Sequence, residues 1–160
     1  MKKPIQQKGV AAVEFAILLP LLLLIVFGIT EFGRALYAYN TLVKATRDAA
    51  RYAMMQQPGG GADAVTKCLA VYGNTACSGN PLAPGLTIKA VSVCDWQRDY
   101  ASTGAICPNH HQQGTAPVVN LVTVTVSGYA YQSPIISFFM PDDSSSFTFA
   151  YISTTMKGNL

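Results

Sequence analysis

Hydrophobic and polar positions divide this chain into two unequal patterns. Residues 10–29, VAAVEFAILLPLLLLIVFGI, are apolar almost without interruption. About 20 residues at a rise of roughly 1.5 Å each cross a typical hydrocarbon core, so the run predicts a transmembrane helix. Glu14 and Pro20 interrupt it. Pro20 removes one backbone donor and predicts a kink or loosening over residues 16–20. From Thr30 to Met55 the polar residues return, and Leu36, Tyr39, Val43, Thr46, Ala50 and Ala53 recur at spacings of three and four. This narrow, alanine-rich stripe predicts that the helix continues beyond the membrane and packs closely on a sheet or another helix. Arg34, Lys44, Arg47, Asp48 and Arg51 lie mostly off the stripe. Lys44 with Asp48, and Asp48 with Arg51, stand at spacings that let each pair meet on the surface. Pro58-Gly59-Gly60-Gly61 ends the helix.

The rest alternates between turn-rich loops and short β patterns. Ala62–Tyr72 reads as a short helical piece. Leu86–Val93 reads as a strand, and Val118–Tyr131 is the clearest strand signal, with Val122, Val124 and Val126 on one face and Thr123 and Thr125 on the other. Ser133–Pro141 reads as an apolar connector and Phe147–Thr155 as a third strand. Residues 94–117 are polar, full of breakers, and predict a long surface loop. The expected fold class is therefore α+β, with a long N-terminal helix whose outer half packs on a small, mainly antiparallel sheet. Three strands with one apolar face need such a helix to be stable. The expected organisation is a leader over 1–9, a membrane segment over 10–29, a continuation of the helix over 30–57, and a small β-rich domain over 58–160.

Charge adds an orientation. The chain is 12% charged with a net charge of +3. Lys2, Lys3 and Lys8 precede the apolar run, and without them eight basic residues balance eight acidic ones. That balance argues against nucleic-acid binding, which needs a basic face. It fits a short positive-inside flank that holds the N-terminus in the cytoplasm. An ordinary secretory signal would need small residues spaced A-x-A just past the run, and residues 28–40, GITEFGRALYAYN, have none. Cys68, Cys77, Cys94 and Cys107 then all fall outside the cytoplasm, where disulfides persist. Three pairings are open; the local ones, Cys68–Cys77 and Cys94–Cys107, are favoured, with a zinc site as the rival.

The remaining candidates for chemistry are few. His110-His111 sits in a Gly/Pro loop without an evident third ligand, Asp95 and Asp99 being the nearest choices, so no metal or cofactor is expected. Trp96, Tyr100, Phe138 and Phe139 could form a contact surface, with core packing as the default. Asp142-Asp143 before a serine run reads as a loop. No nucleophile elbow, HExxH, P-loop or dinucleotide turn is present, so the chain is not expected to be an enzyme. Glu31 and Arg34, three apart just past the apolar run, are candidates for a surface pair or a subunit contact.

Glu14 needs a partner, because a lone carboxylate in hydrocarbon costs at least a few kcal/mol. A cut after Gly9 would make Val10 the new N-terminus, and its α-ammonium could pair with Glu14 of a neighbouring copy, fixing the axial register of an assembly. Gly9, Glu14 and Phe15 match the processing motif of type IV pilin-like proteins, and the continuation to Ala53 resembles the TadE-like pseudopilins of Tad (Flp) pilus systems. That stretch includes Pro20, Glu31-Phe32-Gly33-Arg34 and Ala49-Ala50-Arg51-Tyr52-Ala53. The resemblance implies a pilin-like fold and a precursor cut after Gly9 by a prepilin peptidase. It implies an inner-membrane protein with a periplasmic domain, and a minor subunit acting with other pilins or pseudopilins and the assembly platform. The alternative is a membrane-anchored periplasmic binding module whose 94–117 loop recognises a ligand.

Overall fold

The computed structural model describes residues 9–57, 63–95, 121–139 and 146–158. The elements are helix α1 (Val10–Met54), helix α2 (Asp63–Tyr72), a 3-10 turn (Ile88–Ala90), strands β1 (Val91–Cys94), β2 (Leu121–Val126) and β3 (Ala130–Gln132), helix α3 (Pro134–Phe139), and strands β4 (Ser146–Thr148) and β5 (Ile152–Lys157). The long N-terminal helix with a small antiparallel sheet makes the fold α+β, as expected. The chain separates into two compact units, Met1–Leu36 and Tyr37–Leu160.

In the second unit, β2 is the middle of a three-stranded sheet ordered β1-β2-β5, antiparallel throughout. Register places Val93 opposite Val124 and Val124 opposite Thr154, so Val91, Val93, Val122, Val124, Val126 and Ile152 share one face. All six are buried. Helix α1 packs on that face from Tyr37 onward: the Thr46 and Thr154 hydroxyls lie 3.2 Å apart. The helix buries Ala38, Leu42, Ala45, Thr46, Ala49, Ala50 and Ala53. The stripe is thus rotated from the expected one, and Leu36 and Tyr39 are about half exposed, at 45% and 44%. Small side chains let a helix approach a sheet most closely, so the alanines take the line of contact and larger residues flank it. The ion pairs expected on the outer surface do not form: among the described residues neither Lys44 nor Arg51 pairs with Asp48. Exposed pairs of this kind gain little over solvation.

The opposite sheet face also differs from expectation. Thr123 and Thr125 are buried, not solvated. Thr123 compensates through a 2.7 Å contact with the hydroxyl of Thr155, its cross-strand neighbour. Thr125 Oγ1 is buried with no hydrogen-bond partner. Three predicted elements are cut shorter. The Leu86–Val93 strand begins only at Val91, because Ile88–Ala90 form a 3-10 turn. The long Val118–Tyr131 pattern, described from Leu121, splits at Ser127-Gly128, where Gly128 takes φ 66°, a conformation glycine adopts without a Cβ clash. Ser127 N–H donates to Ala90 O (2.9 Å) and closes that end of the β1–β2 pairing. The chain then enters a second sheet, β3 with β4.

Phe147–Thr155 likewise divides, into β4 and β5, and Phe149 between them joins an aromatic cluster. Its ring lies 5.8 Å from Tyr39, 5.6 Å from Tyr129 and 5.4 Å from Phe147, while Tyr131 lies 5.1 Å from Phe147. Such spacings and tilts suit the ring quadrupoles. Phe149 N–H also donates to Tyr129 O (3.0 Å), which carries the β3–β4 pairing one residue further. The connector read over 133–141 contains α3: Pro134 stands at its first position, where a missing N–H is harmless, and Ser133 O accepts from Ser137 N–H at 2.9 Å.

Helix α2 packs beside β1 and buries Thr66, Cys68, Ala70 and Val71. Lys67 and Asp63 pair at 3.2 Å on its outer side. It stops at Gly73, whose φ of 71° favours glycine and whose position would set an added Cβ 3.3 Å from a Leu82 methyl carbon. The next turn is held by Asn74. Its amide donates to Ser78 O (2.7 Å) and Tyr72 O (3.3 Å), while its carbonyl accepts from Ala76 N–H (3.1 Å) and Ser78 N–H (3.3 Å). Cys77, in the left-handed region at φ 56°, is joined to Cys68 in a disulfide. Cys94, buried at the end of β1, is also disulfide-bonded; Cys107, its expected partner, lies outside the described residues.

The two threonines and Tyr129 make this packing measurable. Thr125→Val replaces an unpaired buried hydroxyl by a methyl group of the same shape and should raise unfolding stability by about 1 kcal/mol. Thr123→Val, which removes a made bond, should lower it by about 1 kcal/mol; denaturant midpoints at constant slope check both. Tyr129 donates its O–H to Pro84 O (2.9 Å), and burial pushes its phenol above the ordinary value. A raised folded-state pKa gives stability that is complete below the unfolded value of about 10 and is lost as pH climbs through the folded one. Tyr129→Phe should therefore cost about 1 kcal/mol near neutrality yet flatten the decline of stability above a pH of about 10, measured as denaturant midpoint against pH.

Candidate assembly and anchoring segment

Gly9 lies in a turn immediately before α1, and Val10 is the first helical residue. The first hydrogen bond along the helix, Val13 N–H to Gly9 O, measures 3.2 Å. The amides of the first turn have no partner within a helix, and no acidic residue stands in that turn. Glu14 follows in the second turn. The peptide bond between Gly9 and Val10 is thus the junction of turn and helix, and the carboxylate stands one turn inside it.

From Val10 to Ile29 every residue is exposed. Phe15 is exposed by 64%, Ile17 by 71% and Leu24 by 70%. This continuous apolar surface is far larger than the patches that folded soluble chains tolerate. The helix is long and apolar enough to cross a membrane. It runs unbroken through Pro20, although proline cannot supply an amide to the Ala16 carbonyl. Thr30 returns its hydroxyl to Val26 O (2.8 Å), which satisfies a polar group at the end of the apolar run within the helix itself. Glu31 is buried and Arg34 exposed, and among the described residues no ion pair joins them.

The structure therefore groups Gly9, Val10, Glu14 and Phe15 on two turns at one helix end. The other candidates fall elsewhere. The Cys68–Cys77 disulfide belongs to α2 and its following turn. Trp96, Asp99, Tyr100, His110, His111, Asp142 and Asp143 lie outside the described residues, as does nearly all of the 94–117 loop. Phe138 and Phe139 end α3. Asp95 is buried at the end of β1. Among the described residues no three His, Cys, Asp or Glu side chains converge on a metal site. Sequence reasoning passed over Asn74, whose only signal was its position after a glycine at a helix end.

Residues 9–51, about a quarter of the chain, match the family model of TadE-like protein. Over this segment the chain is similar to TadE-like proteins. The matched residues begin at the turn before α1 and include the whole apolar surface. No curated protein and no solved structure matches the chain.

Proposed function

We propose that the chain is a minor pseudopilin of a Tad (Flp) pilus, made as a precursor and cut after Gly9 by a prepilin peptidase. The observation that carries this reading is the location of the Gly9–Val10 bond at the start of an exposed apolar helix, with Glu14 one turn further in. A cut there leaves the helix whole. It removes one weak acceptor, Gly9 O, and creates an α-ammonium at Val10. That charge joins the positive end of the helix dipole, with no acid in the first turn to offset it. A carboxylate from another subunit relieves both, and Glu14 in lipid needs a cation. Each copy thus offers one half of the pair at Val10 and the other at Glu14, so subunits associate with an axial offset. The apolar helix holds the precursor in the inner membrane with its N-terminus cytoplasmic, and the β-rich unit stands in the periplasm. Its role is to help initiate or complete the pilus beside other pilins and the assembly platform, not to catalyse a reaction.

N-terminal sequencing of the protein from cells with and without the peptidase tests the processing step. The mature chain should begin at Val10 only when the peptidase is present, and Gly9→Val should stay at precursor size; a mature chain with another first residue defeats the reading. Glu14→Ala should leave the second unit folded and cut normally. It should lower incorporation into sheared pili by roughly tenfold or more, since breaking a buried charge pair costs about 3–5 kcal/mol.

A further inference from the structure

The outer half of α1 buries one face, built from Ala38, Leu42, Ala45, Ala49 and Ala53. The opposite face carries Lys44, Arg47 and Arg51, all exposed, at spacings of three and four that stack them in one row. Lys44–Arg47 and Arg47–Arg51 are like-charge neighbours, each of which weakens the helix. Asp48 is the only acid between Tyr37 and Gln57. Yet among the described residues none of these four side chains makes an ion pair or a side-chain hydrogen bond. Among the described residues the row gains no ion pair that would offset this repulsion. Val43 and Met54, both half-buried, border it through their four- and three-residue spacing to Arg47 and Arg51, adding an apolar strip beside the charges.

We propose that this row is a docking surface for an acidic helix of a different subunit, one that presents carboxylates at matching three- and four-residue spacing. The inference rests on the assembly role proposed above and adds the chemistry of one partner. A second copy is the wrong partner, because it brings the same three cations to the contact, and its Asp63 already pairs with Lys67 at 3.2 Å. The row therefore repels self-association through this face while attracting a chain of opposite pattern. Anionic lipid fits less well. Headgroups meet a helix as a belt at one level, in a layer on the order of 5–7 Å deep. These cations instead run along one side over seven residue steps, roughly 10 Å of helix.

The test uses the full chain in neutral detergent micelles and two synthetic helical peptides of identical composition. One carries Glu at i, i+3 and i+7; the other distributes the same Glu residues around the helix. Fluorescence anisotropy should show the patterned peptide bound more tightly. The Lys44→Glu, Arg47→Glu, Arg51→Glu variant should weaken it by on the order of tenfold. Added salt should erase the difference. A neutral variant, Lys44→Gln, Arg47→Gln, Arg51→Gln, should lose the same preference with an unchanged circular dichroism spectrum, which separates lost docking from lost folding. Equal binding of the two peptides, or full binding by either variant, overturns the proposal. So does displacement of the patterned peptide by anionic lipid micelles at equal charge, which assigns the row to lipid. Both variants should still be cut to begin at Val10. Failure of that cut in the unaltered chain defeats the pseudopilin reading, whereas loss of peptide preference alone defeats only the row.

Discussion

The structure depends on an apolar helical surface that the chain does not cover. Twenty consecutive residues from Val10 to Ile29 face outward, and their cost in water is of the order of 1.5–3 kcal/mol for each large side chain. Such a surface favours an apolar surrounding. In such a surrounding a carboxylate is the most expensive group to keep, which gives Glu14 its weight. Surface and charge pull in opposite directions: the leucines favour immersion, and an ionised Glu14 disfavours it.

Beyond Leu36 the helix changes role without changing conformation. Its inward side becomes a row of alanines against a valine-lined sheet, with one Thr46–Thr154 contact between polar groups. Alanine buries little area, so this seam gains from close approach and from favourable helix propensity more than from bulk. Larger apolar groups collect instead around Phe149, where Tyr39 of the helix meets Tyr129, Tyr131 and Phe147 of the β3–β4 sheet and its flank. The small unit thus has two kinds of cohesion, a tight helix–sheet seam and an aromatic knot, with the Cys68–Cys77 bond and Asn74 restraining the turn beyond them.

Much of this was legible in the residues. An unbroken apolar run of membrane length reflects a constraint local in the chain and corresponds to the exposed first part of α1, while the stop expected over 58–61 lies outside the described residues. The stripe on its outer half was misplaced by part of a turn, since periodicity weights Leu36 and Tyr39 by hydrophobicity while contact distance favours alanine. The strands were read too long for a related reason. Alternation continues through Gly128 and Phe149, but the chain changes sheets near both, with a left-handed turn at the first. Burial of Thr123 and Thr125 was not legible, because whether the second face of a sheet is covered depends on segments distant in sequence.

The order of the strands has a consequence for biogenesis. The central strand β2 pairs with β5, yet β3, α3 and β4 lie between them in the chain. The sheet cannot close until this excursion has been made and its last described strand has arrived, a non-local pairing of the kind that slows folding. Helix α1, by contrast, forms through local bonds alone and precedes every strand of the sheet in the chain. Helix α1 can therefore form while the valine face of β2 is still unpaired, and the interval between those events is when the chain is most open to proteolysis and to mispairing with its neighbours.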